Sequence, residues 1–210
     1  MGRRKKEPRS VHRENIASAA SVLFMEKGIA ETSMDDIAKA AGYSKATLYV
    51  YFENKEEIVG ILVLNSMKKL YDYISAALEQ REGTWERYLL ICKGLVRYQE
   101  EFPFYFDMAL GKINIDFENR EYVPEEKETY LVGETINEKI KEFLMEGMER
   151  GDLQSGLEMM PVIFHFWGML SGMIRLAANK EAYIEKAMGL SKKQFLEYGF
   201  SMLYRSIAAG

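Results

Sequence analysis

Lys45, Thr47, Tyr49 and Tyr51, side chains able to donate hydrogen bonds, follow Ser44 within the acid-free stretch from Ser44 to Phe52. Hydroxyls, an ammonium and the free amides at a helix start are the donors that phosphate oxygens accept. Lysine can also read guanine in a major groove, though half or more of such contacts go to phosphate. Thr32, Ser33 and Tyr43 before this stretch, Ser44 at its start and Lys55 after it add donors suited to a phosphate backbone. No other chemistry assembles. There is no nucleophile with a base, no pair of carboxylates in an apolar pocket and no phosphate-binding glycine loop, so an enzyme is not expected. Cys92 lies in an apolar helical pattern and reads as a buried thiol. His12 and His165 stand far apart, without acids or cysteine at ligand spacing, so neither a metal site nor a cofactor is expected.

The elements that hold those donors are legible in the spacing of caps. Thr32 or Ser33 can cap a helix, with Asp35 and Asp36 three residues on. Ile37, Ala38 and Ala41 give that helix an apolar face, and Gly42 stands where a helix ends in a left-handed residue. Ser44 caps a second helix anchored by Leu48. Asn54 caps a third, with Glu57 three residues on. Two small helices joined by a glycine-containing turn make a helix-turn-helix, whose second helix enters the DNA major groove. Before them, Ile16, Ala19, Ala20, Leu23 and Phe24 mark an amphipathic helix over residues 11–27 that ends at Gly28 and supplies the third member of a small bundle.

The run TSMDDIAKAAGYSKATLYVYFENKEEIV resembles the DNA-binding signature of the TetR family of bacterial transcriptional repressors. The likeness covers roughly residues 13–64. It implies that the positions of Thr47, Tyr49 and Lys55 touch DNA, that the body binds a small inducer, that two copies pair, and that the action is repression.

Charge supports a divided molecule. Through Lys55 there are ten Lys/Arg and seven Asp/Glu, a balance of +3. The remainder holds eighteen and twenty-five, a balance of −7, and the two sum to the net −4. A basic head on an acidic body is expected when one end meets a polyanion. The tail MGRRKKEPRS reads as a solvated basic arm able to lie on phosphates. The spacing therefore predicts an all-α chain, with a basic arm and DNA-binding domain over residues 1–54 and a larger helical domain over 55–210, to which the resemblance assigns ligand binding and dimerisation.

In the second part the apolar periodicity predicts helices from Lys55 to about Glu82, over 85–101 with Thr84 as cap, across FPFYFDMAL, from Pro124 to about Arg150, over 161–179, over 180–189, and from Ser191 onward. Residues 112–123 read as a loop or a ragged short helix. Trp85, Tyr88, Phe104, Tyr105, Met108, Phe143, Phe166 and Trp167 are candidate walls of an apolar ligand cavity. The segment 161–179 is apolar around most of its circumference and should be buried on all sides, by its own core or by a second copy. No apolar run reaches the ~20 residues of a membrane span. The expected partners are a duplex operator, a small-molecule inducer and a second copy of the chain, with no membrane, in a reducing cytoplasm. The rival reading is a helical protein of membrane surfaces or partner docking.

Overall fold

The computed structural model describes residues 7–80, 83–111 and 124–210, and among them it contains ten helices and no strand. They are α1 (Arg9–Lys27), α2 (Met34–Ala41), α3 (Lys45–Tyr51), α4 (Lys55–Leu78), α5 (Thr84–Glu101), α6 (Pro103–Ala109), α7 (Pro124–Glu149), α8 (Met159–Asn179), α9 (Glu181–Met188) and α10 (Lys192–Arg205). Most of the basic tail and the expected loop or short helix over 112–123 lie outside the described residues. Arg9 and Ser10, counted with the tail above, are the first turn of α1.

The chain divides into two compact units. One holds α1 to α3, α4 through Ser66 and the opening of α7 through Thr129. In it Ile16, Ala20, Phe24, Ile37, Leu48, Phe52, Ile58 and Leu62 are buried. The other unit holds α4 from Met67, α5, α6, α7 from Tyr130, and α8 to α10. Its core gathers Ile74, Cys92, Leu95, Tyr98, Ile136, Phe143, Ile163, Leu170, Ile174 and Phe200. The helices α4 and α7 therefore each belong to both.

Local chemistry explains the boundaries. Ser33 caps α2 in a full capping box with Asp36, whose carboxylate also takes Lys27. That ammonium, together with Ser33, holds the Asp36 carboxyl below its ordinary range. Gly42 ends α2 at φ 73°, where a side chain would be strained. Pro103 sits at the first position of α6, where no amide is needed. Ser191 and Gln194 form a second capping box at α10.

Two expectations are corrected. Thr84 does not cap α5. It is the first helical residue, and its hydroxyl is drawn instead to the carboxylate of Asp152 at 2.7 Å. The segment 152–154 also pairs with residues 207–209 through backbone hydrogen bonds, closing the end of the second unit. The second correction concerns α8. It starts at Met159, is 21 residues long, and is apolar enough by length and composition to cross a membrane. Of the two coverings expected for it, the chain's own core supplies one side. Ile163, Leu170, Ile174 and Ala177 face the core, while Phe164, Gly168, Met169, Gly172 and Leu176 form an exposed stripe.

Cys92 is fully buried, and that burial pushes its thiol up to about 12. A thiolate is the reactive form, so little exists below that pH. The folded protein should resist iodoacetamide at neutral pH and react fully in denaturant, read by mass spectrometry; rapid labelling of the native chain would contradict this burial.

Candidate nucleic-acid interface

The second helix of the pair, α3, is only seven residues long, so its shape depends on what grips it. At its start the Ser44 hydroxyl accepts from the amide of Thr47 at 3.1 Å and lies 2.7 Å from the Thr47 hydroxyl. In the middle Leu48 is fully buried. At its end Phe52 is buried, and its amide reaches the Leu48 carbonyl at 3.0 Å. Two arginines of α1 then satisfy the last carbonyls: Arg9 donates to Val50 and Arg13 to Tyr51, each at 2.9 Å. Cations are favoured there because the carbonyl end of a helix carries partial negative charge.

With Leu48 turned inward, Lys45, Ala46, Tyr49 and Val50 are left exposed together. Val50 is the most open of the large apolar residues of α3, at 63%. Lys45 meets Asp35 of α2 at 2.7 Å, but both are well exposed, and such pairs hold weakly in water. A phosphate can therefore replace the carboxylate.

The remaining candidates divide. Ser33 and Ser44 are exposed caps, Thr47 is half-buried beside Ser44, and Tyr43 and Tyr51 are half-buried. These two tyrosines pack with His12 of α1, whose Nδ1 is 2.7 Å from the Tyr43 hydroxyl and whose ring lies 5.1 Å from that of Tyr51. Thr32 stands apart from the set. It is buried, and its hydroxyl donates to Gly28 at 2.8 Å, closing the turn after α1. Lys55 is likewise occupied within the fold. Its ammonium donates to the carbonyls of Ile29, Ala30 and Thr32, fastening that turn to the start of α4. Sequence reasoning counts Arg9 only with the basic arm and does not single out His12, Arg13 or Val50. The first three recur three and four residues apart, a helical face visible in the sequence.

Residues 16–60 match the family described as bacterial regulatory proteins, tetR family. Of related proteins, TtgR, a helix-turn-helix-type transcriptional regulator of Pseudomonas putida, is 37% identical over 82 residues, 39% of each chain. The chain thus spans about two fifths of that relative's length. IcaR of Staphylococcus epidermidis, a negative transcriptional regulator of the biofilm operon icaADBC, is 30% identical over 64% of this chain and 62% of its own. Among solved structures, PfmR of Thermus thermophilus, a TetR-family transcriptional regulator, aligns over 90% of this chain and 97% of its own, with a TM-score of 0.66 and 26% identity. The family likeness by sequence thus lies in the segment 16–60, and the fold likeness extends over most of the chain. The matched segment runs from the buried Ile16 of α1 to Gly60 of α4, and so contains every residue of the α2–α3 pair.

In the second unit a small apolar cavity lies among α5, α7 and α8, with Ile207 at one side. Tyr88, Phe143, Phe166 and Trp167 of the expected set line it. Its one hydroxyl is used, since Tyr88 donates to the Phe200 carbonyl at 3.1 Å. Trp85 is not on its wall; it packs its ring on Tyr88 and Tyr204. Phe104, Tyr105 and Met108 are not on it either. The side of α6 that faces inward carries Phe106 and Ala109, which with Leu110 just after the helix and Trp167 line a second, smaller hollow. Leu95 and Trp167 border both spaces.

The cap at Ser44 should matter in proportion to the shortness of α3. Ser44→Ala is expected to cost about 1 kcal/mol. Amide exchange through α3 should then quicken about fivefold, the factor that this energy implies, while α10 stays unchanged; equal protection in both helices would remove the cap from the account.

Proposed function

We propose that this chain is a sequence-specific DNA-binding transcriptional regulator, most simply a repressor, released from a two-part operator by a small apolar ligand. The observation that carries the reading is the outward set Lys45, Ala46, Tyr49 and Val50 on a helix gripped at both ends, inside the segment that matches the family. Lysine and tyrosine supply donors to phosphate or base edges, and an exposed valine suits the methyl group of thymine. Tyr43, Ser44 and Thr47 flank them as backbone contacts. The DNA-binding domain of this reading ends near residue 54, and the remainder senses and pairs.

Pairing is supported by the uncovered stripe of α8 together with Tyr198 and Met202 of α10, which are 70% and 56% exposed. Patches of this kind are where protein surfaces meet. Gly168 and Gly172 have open space where a side chain would stand, so a second backbone can come close. Two heads would then read half-sites roughly 34–36 Å apart, or a multiple of that.

Release is supported by the apolar cavity. Its enclosed space is about 40 Å³, whereas sites for drug-sized ligands run to roughly 300 Å³ or more. A ligand must therefore spread the walls, including Phe143 and Leu144 of α7. Because α4 and α7 continue into the head unit, spreading favours one stance of the heads over another. By linkage, a ligand that prefers the DNA-incompetent stance lowers DNA affinity by the same factor that DNA lowers its own.

Selection from a random duplex pool is expected to enrich a near-palindrome. Binding to it should fall about a thousandfold between roughly 50 and 200 mM salt if some six phosphates are neutralised. Recovery of no sequence in preference to heparin would refute the reading.

The ligand arm has its own readout. In Trp85→Phe, Trp167 is the only indole. Titration with neutral aromatics, lipophilic cations and medium-chain fatty acids should find a compound that quenches Trp167 and weakens binding to the selected duplex. Quenching without any change in duplex binding would separate the cavity from regulation.

A further inference from the structure

Arg13 does two things with one guanidinium. Its Nη1 donates to the Tyr51 carbonyl at the end of α3 at 2.9 Å. Its Nη2 donates to the Glu125 carboxylate in the first turn of α7 at 2.7 Å. The plane of the group also lies over the buried Phe52 ring, its central carbon 4.4 Å from the centroid. Arg13 and Glu125 side chains are only 19% and 17% exposed, so this pair is better shielded than the Lys45–Asp35 pair, at 61% and 50%. A planar fork suits two acceptors at once, and a lysine cannot reproduce it. Glu125 in turn stands against α4, its Cβ 3.9 Å from where a side chain on Gly60 would begin. About five turns further along, the same α7 places Phe143 and Leu144 in the cavity wall.

We propose that Arg13 is a positioning residue for α3, and that the Arg13–Glu125 pair is the contact through which α7 sets the stance of that helix. The proposal rests on the DNA-binding reading above. It adds a second route beside α4, and a residue that touches neither DNA nor ligand. Glu125 holds the fork so that the end of α3 is fixed by the same group that α7 restrains. Displacement of α7 at the cavity loosens the fork, and Tyr49 and Val50 lose their register with the duplex.

Electrostatics and positioning predict opposite signs for loss of Glu125. Removing an acid near a polyanion should tighten binding to every duplex. Loss of a positioning contact should weaken only the selected one. The test uses the full chain, the duplex enriched by the wild type, and a scrambled duplex of equal composition at one salt concentration. Glu125→Ala is expected to lose about tenfold for the selected duplex, within the usual span of coupling between linked sites, with no loss for the scrambled one. Arg13→Gln should lose at least as much, and the double variant no more than Arg13→Gln alone, because both act through one contact. Hydrogen exchange at Tyr51 and Phe52 should quicken in Glu125→Ala without DNA present. Should Glu125→Ala fail to fold, Glu125→Gln carries the same comparison with a smaller loss.

Wild-type affinity of the folded Glu125 variant for the selected duplex, or additive losses in the double variant, would overturn the proposal and leave the DNA-binding reading standing. Failure of the wild type to enrich any duplex would end both, and that arm alone identifies which failed first.

Discussion

A helix of seven residues cannot hold itself together in water. Nucleation is costly, and too few hydrogen bonds repay it. Everything in the head unit answers that constraint. Ser44 takes the amide of Thr47, Leu48 and Phe52 anchor α3 to the core, and Arg9 and Arg13 take the carbonyls that α3 leaves open. The supporting turn after α1 is fixed in the same manner, with Thr32 and the ammonium of Lys55 saturating its backbone. Short recognition helices are useful because they fit a groove. The cost is that the surrounding helices must supply the rigidity they lack.

That division of labour explains what could be read in advance. Caps and turn glycines act over three or four residues, so Ser33 with Asp36, Gly42, Ser44, Asn54 with Glu57 and the cap at Ser191 are visible in sequence and present in the fold. Contacts between distant residues leave no such mark. Thr84 looks like a cap until Asp152, far along the chain, draws its hydroxyl away. Lys55 and Thr32 look like phosphate ligands, because a lysine or threonine that ties down a turn has the same letter as one that faces DNA. Arg13 and Glu125 are separated by more than half the chain, and nothing local announces their meeting.

The aromatic body follows the same logic. Composition indicated rings enough to line a cavity, and four of the eight expected walls do so. Which face of α6 turns inward depends on one residue of register, and Phe106 wins that place over Tyr105. Periodicity also described α8 as apolar around most of its circumference, yet only one of its faces finds partners within the chain. Binary pattern reports what a helix must bury, not where the covering comes from.

The open stripe of α8 and α10 has a bearing on abundance. If its natural cover is a second copy, part of the folding energy of the body is supplied by association, and it vanishes on dilution. Integrity then scales with cellular dosage: sparse chains are left partly unclad and prone to degradation, while plentiful ones protect each other. A sensor built this way would set a floor on its own copy number before any effector arrives.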